Sequence, residues 1–235
     1  MPSRNSSPPE DLSDSLGLYA SLSDGFGGSL KNEIAAVAAR MIAEEGMDYA
    51  TAKRKAQQQL TGGHRSRNAR QALPSNEEVE DAVREYQQIF QSDTQPARLL
   101  SLRTKALALM RLLEDFSPTV TGAVANGTAG EFTDLHLQCF ADNAKALGIF
   151  LIDQGIQAEA ATLPHFRGDR DEVEALIIPW QGEIASIAVY SHLDQRGAMK
   201  PSARGRIQRL DIDALASLIA LSPNGVAPDQ PDSPD

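Results

Sequence analysis

The residues best suited to chemistry lie in one stretch, "GAVANGTAGEFTDLHL" at 122–137. Glycine lacks a Cβ, so Gly122 and Gly127 let backbone N–H groups approach an anion such as phosphate. Asp134 opens an alternating run, and a carboxylate there suits a hard cation such as Mg²⁺, which bridges phosphate oxygens. Side chains two apart on a strand share a face, which puts position 136 beside 134. The same letters also describe a plain glycine turn entering a β-strand, with Asp134 at its mouth. Both readings stand at this stage.

Rival chemistries find less. Ser, His and Asp are all present, yet no Gly-x-Ser-x-Gly elbow occurs. Cys139 alternates with Leu137 on the apolar side of its run and reads as core. His64, His136, His165 and His192 are dispersed without helical i, i+4 pairing, which argues against a zinc site. The glycines "GFGG" at 25–28 follow no strand, so no dinucleotide fingerprint is present. Trp180 reads as a packed strand end.

The elements that must position the glycine stretch begin after a tail. Residues 1–28 and 222–235, rich in Ser, Asp, Pro and Gly, read as disordered tails. Ser29 can cap a helix carrying Ile34, Val37, Ala38, Met41 and Ile42, with Gly46 as its stop. Asp48 can cap a second helix through Leu60. "TGGHRSRNARQALP" at 61–74 reads as an exposed basic linker. Ser75 and Glu78 form a capping box for a helix to about Gln91. Beyond Pro96 the pattern predicts a helix over 98–116, ended by Pro118, and a strand over Val120–Val124. It then predicts a strand over Thr133–Phe140, a helix capped by Asp142, strands at 173–180 and 183–191, and a helix over 211–221. The fold class is α+β: a small mixed sheet with flanking helices over 97–221, preceded by a helical region over 29–92.

Hydrophobic residues make up 41% of 235 residues and charged residues 23%, an ordinary globular composition. No apolar run is long enough to cross a bilayer. The N-terminus lacks an apolar core behind a basic start, so it does not read as a secretory signal. One cysteine rules out an internal disulfide. These features favour the cytoplasm. A net charge of −10 argues against general nucleic-acid binding. Lys53, Arg54, Lys55, Arg65, Arg67 and Arg70 nonetheless form an acid-free block, and Lys200, Arg204, Arg206 and Arg209 form a second. Each reads as a solvated face or as a dock for an anionic partner.

The stretch "TGAVANGTAGEFTDLHL" at 121–137 resembles the signature of the nucleotidyltransferase superfamily related to DNA polymerase β. That signature follows a helix with Gly-Gly or Gly-Ser, then a spacer, then Asp-hydrophobic-Asp/Glu-hydrophobic on a strand. Here Gly122–Ala123 takes the glycine position and Asp134–Leu135–His136–Leu137 the acidic one, with residues 124–133 between. The resemblance covers roughly 98–192, and 29–92 has no counterpart in the minimal fold.

The resemblance implies a nucleoside triphosphate held by Gly122, Ala123 and Gly127, with Lys200 or Arg204 neutralising phosphate. It implies Mg²⁺ or Mn²⁺ gathered by Asp134, His136 and a third carboxylate on a later strand. Glu174 is the nearest candidate for that third ligand, with Glu172 on the same face. His136 stands where a second carboxylate would, and imidazole is a poor Mg²⁺ ligand. Two functions follow. One is nucleotidyl transfer to an unidentified acceptor. The other is a catalytically inactive adaptor that keeps the fold and docks RNA or an acidic protein through residues 53–70.

Overall fold

Capping chemistry sets the helices of the N-terminal part. The computed structural model describes residues 30–62, 73–141, 143–166, 172–198 and 209–222. Ser29, Asp142, Lys200, Arg204 and the stretch 63–72 lie outside them. Helix α1 (Leu30–Glu45) ends at Gly46, whose positive φ of 67° lets its N–H reach the Ile42 carbonyl at 3.1 Å. Helix α2 (Tyr49–Thr61) starts where Asp48 accepts from the Thr51 N–H at 2.9 Å. Helix α3 (Asn76–Phe90) opens with the capping box: Glu78 accepts from the Ser75 N–H at 2.7 Å, and the Ser75 hydroxyl accepts from the Glu78 N–H at 3.2 Å.

The chain divides into two units, one through Tyr86 and one from Gln87. In the first, α1 and α2 pack together around Ile34, Ala38, Ala52, Ala56, Val79 and Val83. Small alanines dominate, which permits close helix approach. Lys31 pairs with Glu78 at 2.8 Å, and Tyr86 donates its hydroxyl to Glu44.

The second unit is a mixed six-stranded sheet with order β3-β4-β5-β2-β1-β6. Its strands are β1 (Thr119–Thr121), β2 (Leu135–Phe140), β3 (Glu159–Pro164), β4 (Glu172–Trp180), β5 (Glu183–Tyr190) and β6 (Arg209–Leu210). β2 and β5 run parallel, and every other neighbouring pair is antiparallel. The helices are α4 (Gln95–Leu112), α5 (Gly122–Asn126), α6 (Ala144–Asp153), α7 (His192–Ala198) and α8 (Ile212–Ala220), with a 3₁₀ turn at Glu114–Phe116. The fold is therefore α+β, a mixed sheet with flanking helices and further helices N-terminal to it.

One sheet face is apolar. Leu135, Leu137, Cys139, Ile178, Ala185 and Ile187 meet Leu102, Leu109 and Met110 of α4, Leu147 and Leu151 of α6 and Leu215 of α8. The opposite face carries Thr119, Gln138 and Ser186, with a smaller apolar cluster of Phe140, Ala188 and Tyr190 at one end.

Several expected boundaries move. The strand foreseen over Val120–Val124 stops at Thr121, because Gly122 (φ 68°) turns the chain into α5 and Val124 reaches the core from that helix. α4 begins at Gln95, with Pro96 in its first turn, and gives way to the 3₁₀ turn after Leu112. Asn143 is the cap of α6, accepting from the Ala146 N–H at 3.0 Å. β3, α7 and β6 were not foreseen. β3 has only Ala161 and Leu163 half-buried among exposed positions, too short an apolar pattern to mark a strand, and β6 is two residues long.

A charge cluster ties α4 to the β4–β5 turn. Glu183 accepts from Arg98 Nη1 and Nη2 at 2.6 and 2.8 Å and from Lys105 Nζ at 2.6 Å. The Trp180 indole donates to the Lys105 carbonyl at 2.9 Å. Hydrogen bonding from Arg98, aided by Lys105, holds the Glu183 carboxyl down to about 2. A folded-state value below the unfolded one stabilises above the unfolded value and is lost as pH falls toward 2. Glu183→Gln should therefore cost about 2 kcal/mol at pH 7, and much less near pH 2.5. Urea unfolding followed by Trp180 emission at both pH values measures this. An equal cost at both would assign the loss to packing.

Candidate functional site

Strand pairing decides which side chains meet. Thr121 pairs with His136 on one side and Arg209 on the other. His136 pairs with Ser186, which pairs with Ile177. Cross-strand partners project to the same face, so Arg209, Thr121, His136 and Ser186 form one row across the polar face. Asp134, two residues before His136, sits at the exposed entrance of β2 and acts on the His136 ring through its charge.

Gly122 meets this row. It follows Thr121 directly, and a Cβ built on it would lie 3.6 Å from His136 Cδ2. The glycine bend and the His136 ring thus lie side by side. Gly122, Asp134 and His136 are all exposed, which makes an open corner.

His136 is committed on one side. Its Nδ1 lies 2.6 Å from the Ser186 hydroxyl, one of the two donating according to the ring tautomer. Ser186 is buried, and its oxygen is also 3.5 Å from the Leu135 carbonyl. Desolvation against the sheet lowers the His136 pKa, and the Asp134 carboxylate opposes this. Because the residue is exposed on its outer side, the shift is screened by water. The imidazole is thus biased toward its neutral form at neutral pH. Arg209 donates from Nε to Gln138 Oε1 at 2.6 Å, and its guanidinium stacks 4.7 Å from the Phe166 ring centroid.

Two expectations from sequence need correction. Glu174 lies three residues from Ile177 on β4 and projects to the sheet face opposite His136. It lines a cavity of about 530 Å³ with Lys145 and Gly148 of α6 and Thr162 and Leu176. It cannot share a metal with Asp134. The later-strand residue that does meet His136 is Ser186. Gly127 is the C-terminal cap of α5: its N–H donates to the Ala123 carbonyl at 3.0 Å, and its carbonyl accepts from Gln95 at 3.1 Å. That N–H is spent on the helix. Ala123 packs its side chain against the core, and its carbonyl takes a second bond from the Ala129 N–H at 3.1 Å. Of the glycine-stretch residues, Gly122 is the one beside the histidine.

Among the described residues, no group of three His, Cys, Asp or Glu side chains is placed to hold a metal ion. The corner offers one carboxylate and one half-engaged imidazole. Mg²⁺ requires near-octahedral oxygen ligation, so this donor set does not fit it. A second cavity, about 320 Å³, lies away from the corner by Glu114, Thr119, Gln195, Asp211 and Asp213. Neither cavity is lined by Gly122, Asp134 or His136.

The remaining candidates fall into structural roles. Burial pushes the Cys139 thiol up to about 12, which suits a core residue and not a nucleophile. Lys53 donates to the Pro74 carbonyl at 3.2 Å and to Asn76 Oδ1 at 2.7 Å, and Arg54 to Thr51 Oγ1 at 3.1 Å. Part of the basic block is thereby used within the first unit. Ser186 was missed as a site residue, and Arg209 was named only within the second basic block. Their types were visible, but their pairing partners belong to the folded sheet.

Gly122→Ala tests the bend. The added methyl meets only an ordinary contact, so the cost is backbone strain at positive φ, about 1 kcal/mol. Thermal unfolding followed by Trp180 emission reads it, and an unchanged midpoint would mean the backbone there relaxes freely. No family model matches the chain, and neither a curated protein nor a solved structure does.

Proposed function

We propose that the unit from Gln87 onward is a nucleotidyltransferase-like domain that binds a nucleoside triphosphate at the Gly122 corner without carrying out nucleotidyl transfer. The observation that carries this reading is the placement of Gly122 against His136, with Asp134 at the entrance of the same strand. A glycine bend gives phosphate oxygens access to backbone N–H groups. Arg209 shares the row at its backbone, while its guanidinium is turned along the sheet toward Gln138 and Phe166.

Transfer needs charge stabilisation on both attacking and leaving oxygens, which paired carboxylates and their metals normally supply. Here the positions that meet on the sheet hold Asp134, His136 and Ser186, so two of the three lack a carboxylate. Binding survives such a loss better than catalysis, because each missing interaction weighs most in the transition state.

Calorimetry of the full chain with ATP, GTP, CTP and UTP tests the reading. Saturable heat for at least one of them, weakened about tenfold by Gly122→Ala, is the expected result. Absence of heat with all four, with and without Mg²⁺ or Mn²⁺, would remove nucleotide binding and leave the architecture alone.

A further inference from the structure

We infer that the cavity between the start of β1 and the start of α8 binds a small aliphatic amine or guanidine, a ligand with cationic N–H donors at more than one point. The cavity measures about 320 Å³, at the lower end of the range of about 300–1,000 Å³ usual for small-molecule pockets. It is lined by Glu114 of the 3₁₀ turn, Ser117 and Thr119 at the entry to β1, Gln195 of α7, and Asp211 and Asp213 at the start of α8. Each of these side chains can accept a hydrogen bond, and none is cationic. Among the described residues, the carboxylates of Glu114 and Asp213 make no hydrogen bond or ion pair. Asp211 spends one oxygen on the Ala214 N–H, at 2.9 Å.

An acidic cluster alone would be a solvated surface, and Thr119 sets this one apart. Only 5% of that residue is exposed, and its hydroxyl has no hydrogen-bond partner among the described residues. Buried polar atoms are nearly always paired, because an unpaired one has lost its water without replacement. Thr119 stands in the cavity wall with its side chain on the polar face of the sheet, where Gln138 is its cross-strand neighbour. The pairing of Val120 with Leu210 sets Asp211 beside it on the other flank. A ligand N–H seated between them gives the hydroxyl oxygen its missing donor while facing a carboxylate.

Charge and geometry select the ligand class. The same carboxylates repel phosphate, so the site stands apart from the nucleotide reading at Gly122. No three His, Cys, Asp or Glu side chains among the described residues are placed to hold a metal ion. The N-terminus of α8 contributes about half a positive charge, which three carboxylates outweigh. The acceptors sit on separate elements, and a short chain bearing two or more ammonium or guanidinium groups meets them together.

Calorimetry of the full chain with agmatine and with spermidine is the test. Saturable binding of at least one of them is expected. Glu114→Gln and Asp213→Asn, both at exposed positions, should each weaken it about fivefold or more. Glu174→Gln removes an exposed carboxylate from the other cavity and should change it by less than about twofold. An equal loss there would assign the heat to general attraction by a chain of net charge −10 and overturn the inference. Thr119→Val should weaken binding about threefold or more while the thermal midpoint stays at or above that of wild type, since the hydroxyl it removes is unpaired in the free protein. No saturable binding of either compound, or a Thr119→Val affinity equal to wild type, would also overturn it.

Discussion

The parallel pairing of β2 with β5 fixes the chemistry of this protein. Side chains alternate across a strand, so a slip of one residue in that pairing would exchange every buried position for an exposed one. The register is held by the apolar set: Leu135 opposite Ala185, Leu137 opposite Ile187 and Cys139 opposite Val189, all packed beneath α4, α6 and α8. With those pairs fixed, the intervening row has no choice. His136 meets Ser186, and Gln138 meets Ala188, on the polar side. The same rule carries through Ser186 and Ile177 into β4 and sends Glu174 to the far face. The hydrophobic core thus decides which polar residues can act together.

Much of this frame was legible in the chain. The capping box at Ser75 and Glu78, the Asp48 cap and the Gly46 stop each rest on local hydrogen bonding that neighbouring residues specify alone. The strands at 173–180 and 183–191 were found because their apolar content is dense. β3 escaped because an edge strand with two half-buried apolar residues carries too short a pattern, and β6 because two residues carry no period. The short helix α5 escaped because turn-forming residues such as Gly122, Asn126 and Gly127 also cap helices.

The candidate site divides the same way. The meeting of Gly122 with the start of β2 follows from an antiparallel turn-and-return, which spacing along the chain expresses. Glu174 was misassigned because residues on distant strands share a face only through pairings that sequence does not state. Gly127 was misassigned because a positive-φ glycine looks alike whether it bends toward a ligand or closes a helix. Ser186, one serine within an apolar run, gave no signal until its hydroxyl was found against His136.

The rim of the sheet has a consequence of its own. An outermost strand shows unpaired peptide groups that invite another chain to dock by backbone bonding. β3, the last strand at one end of the sheet, is six residues long, starts with an exposed Glu159 and ends at Pro164, which has no N–H to donate. β6, at the other end, is too short to template a neighbour. Both margins are thereby blunted against fibrillar stacking.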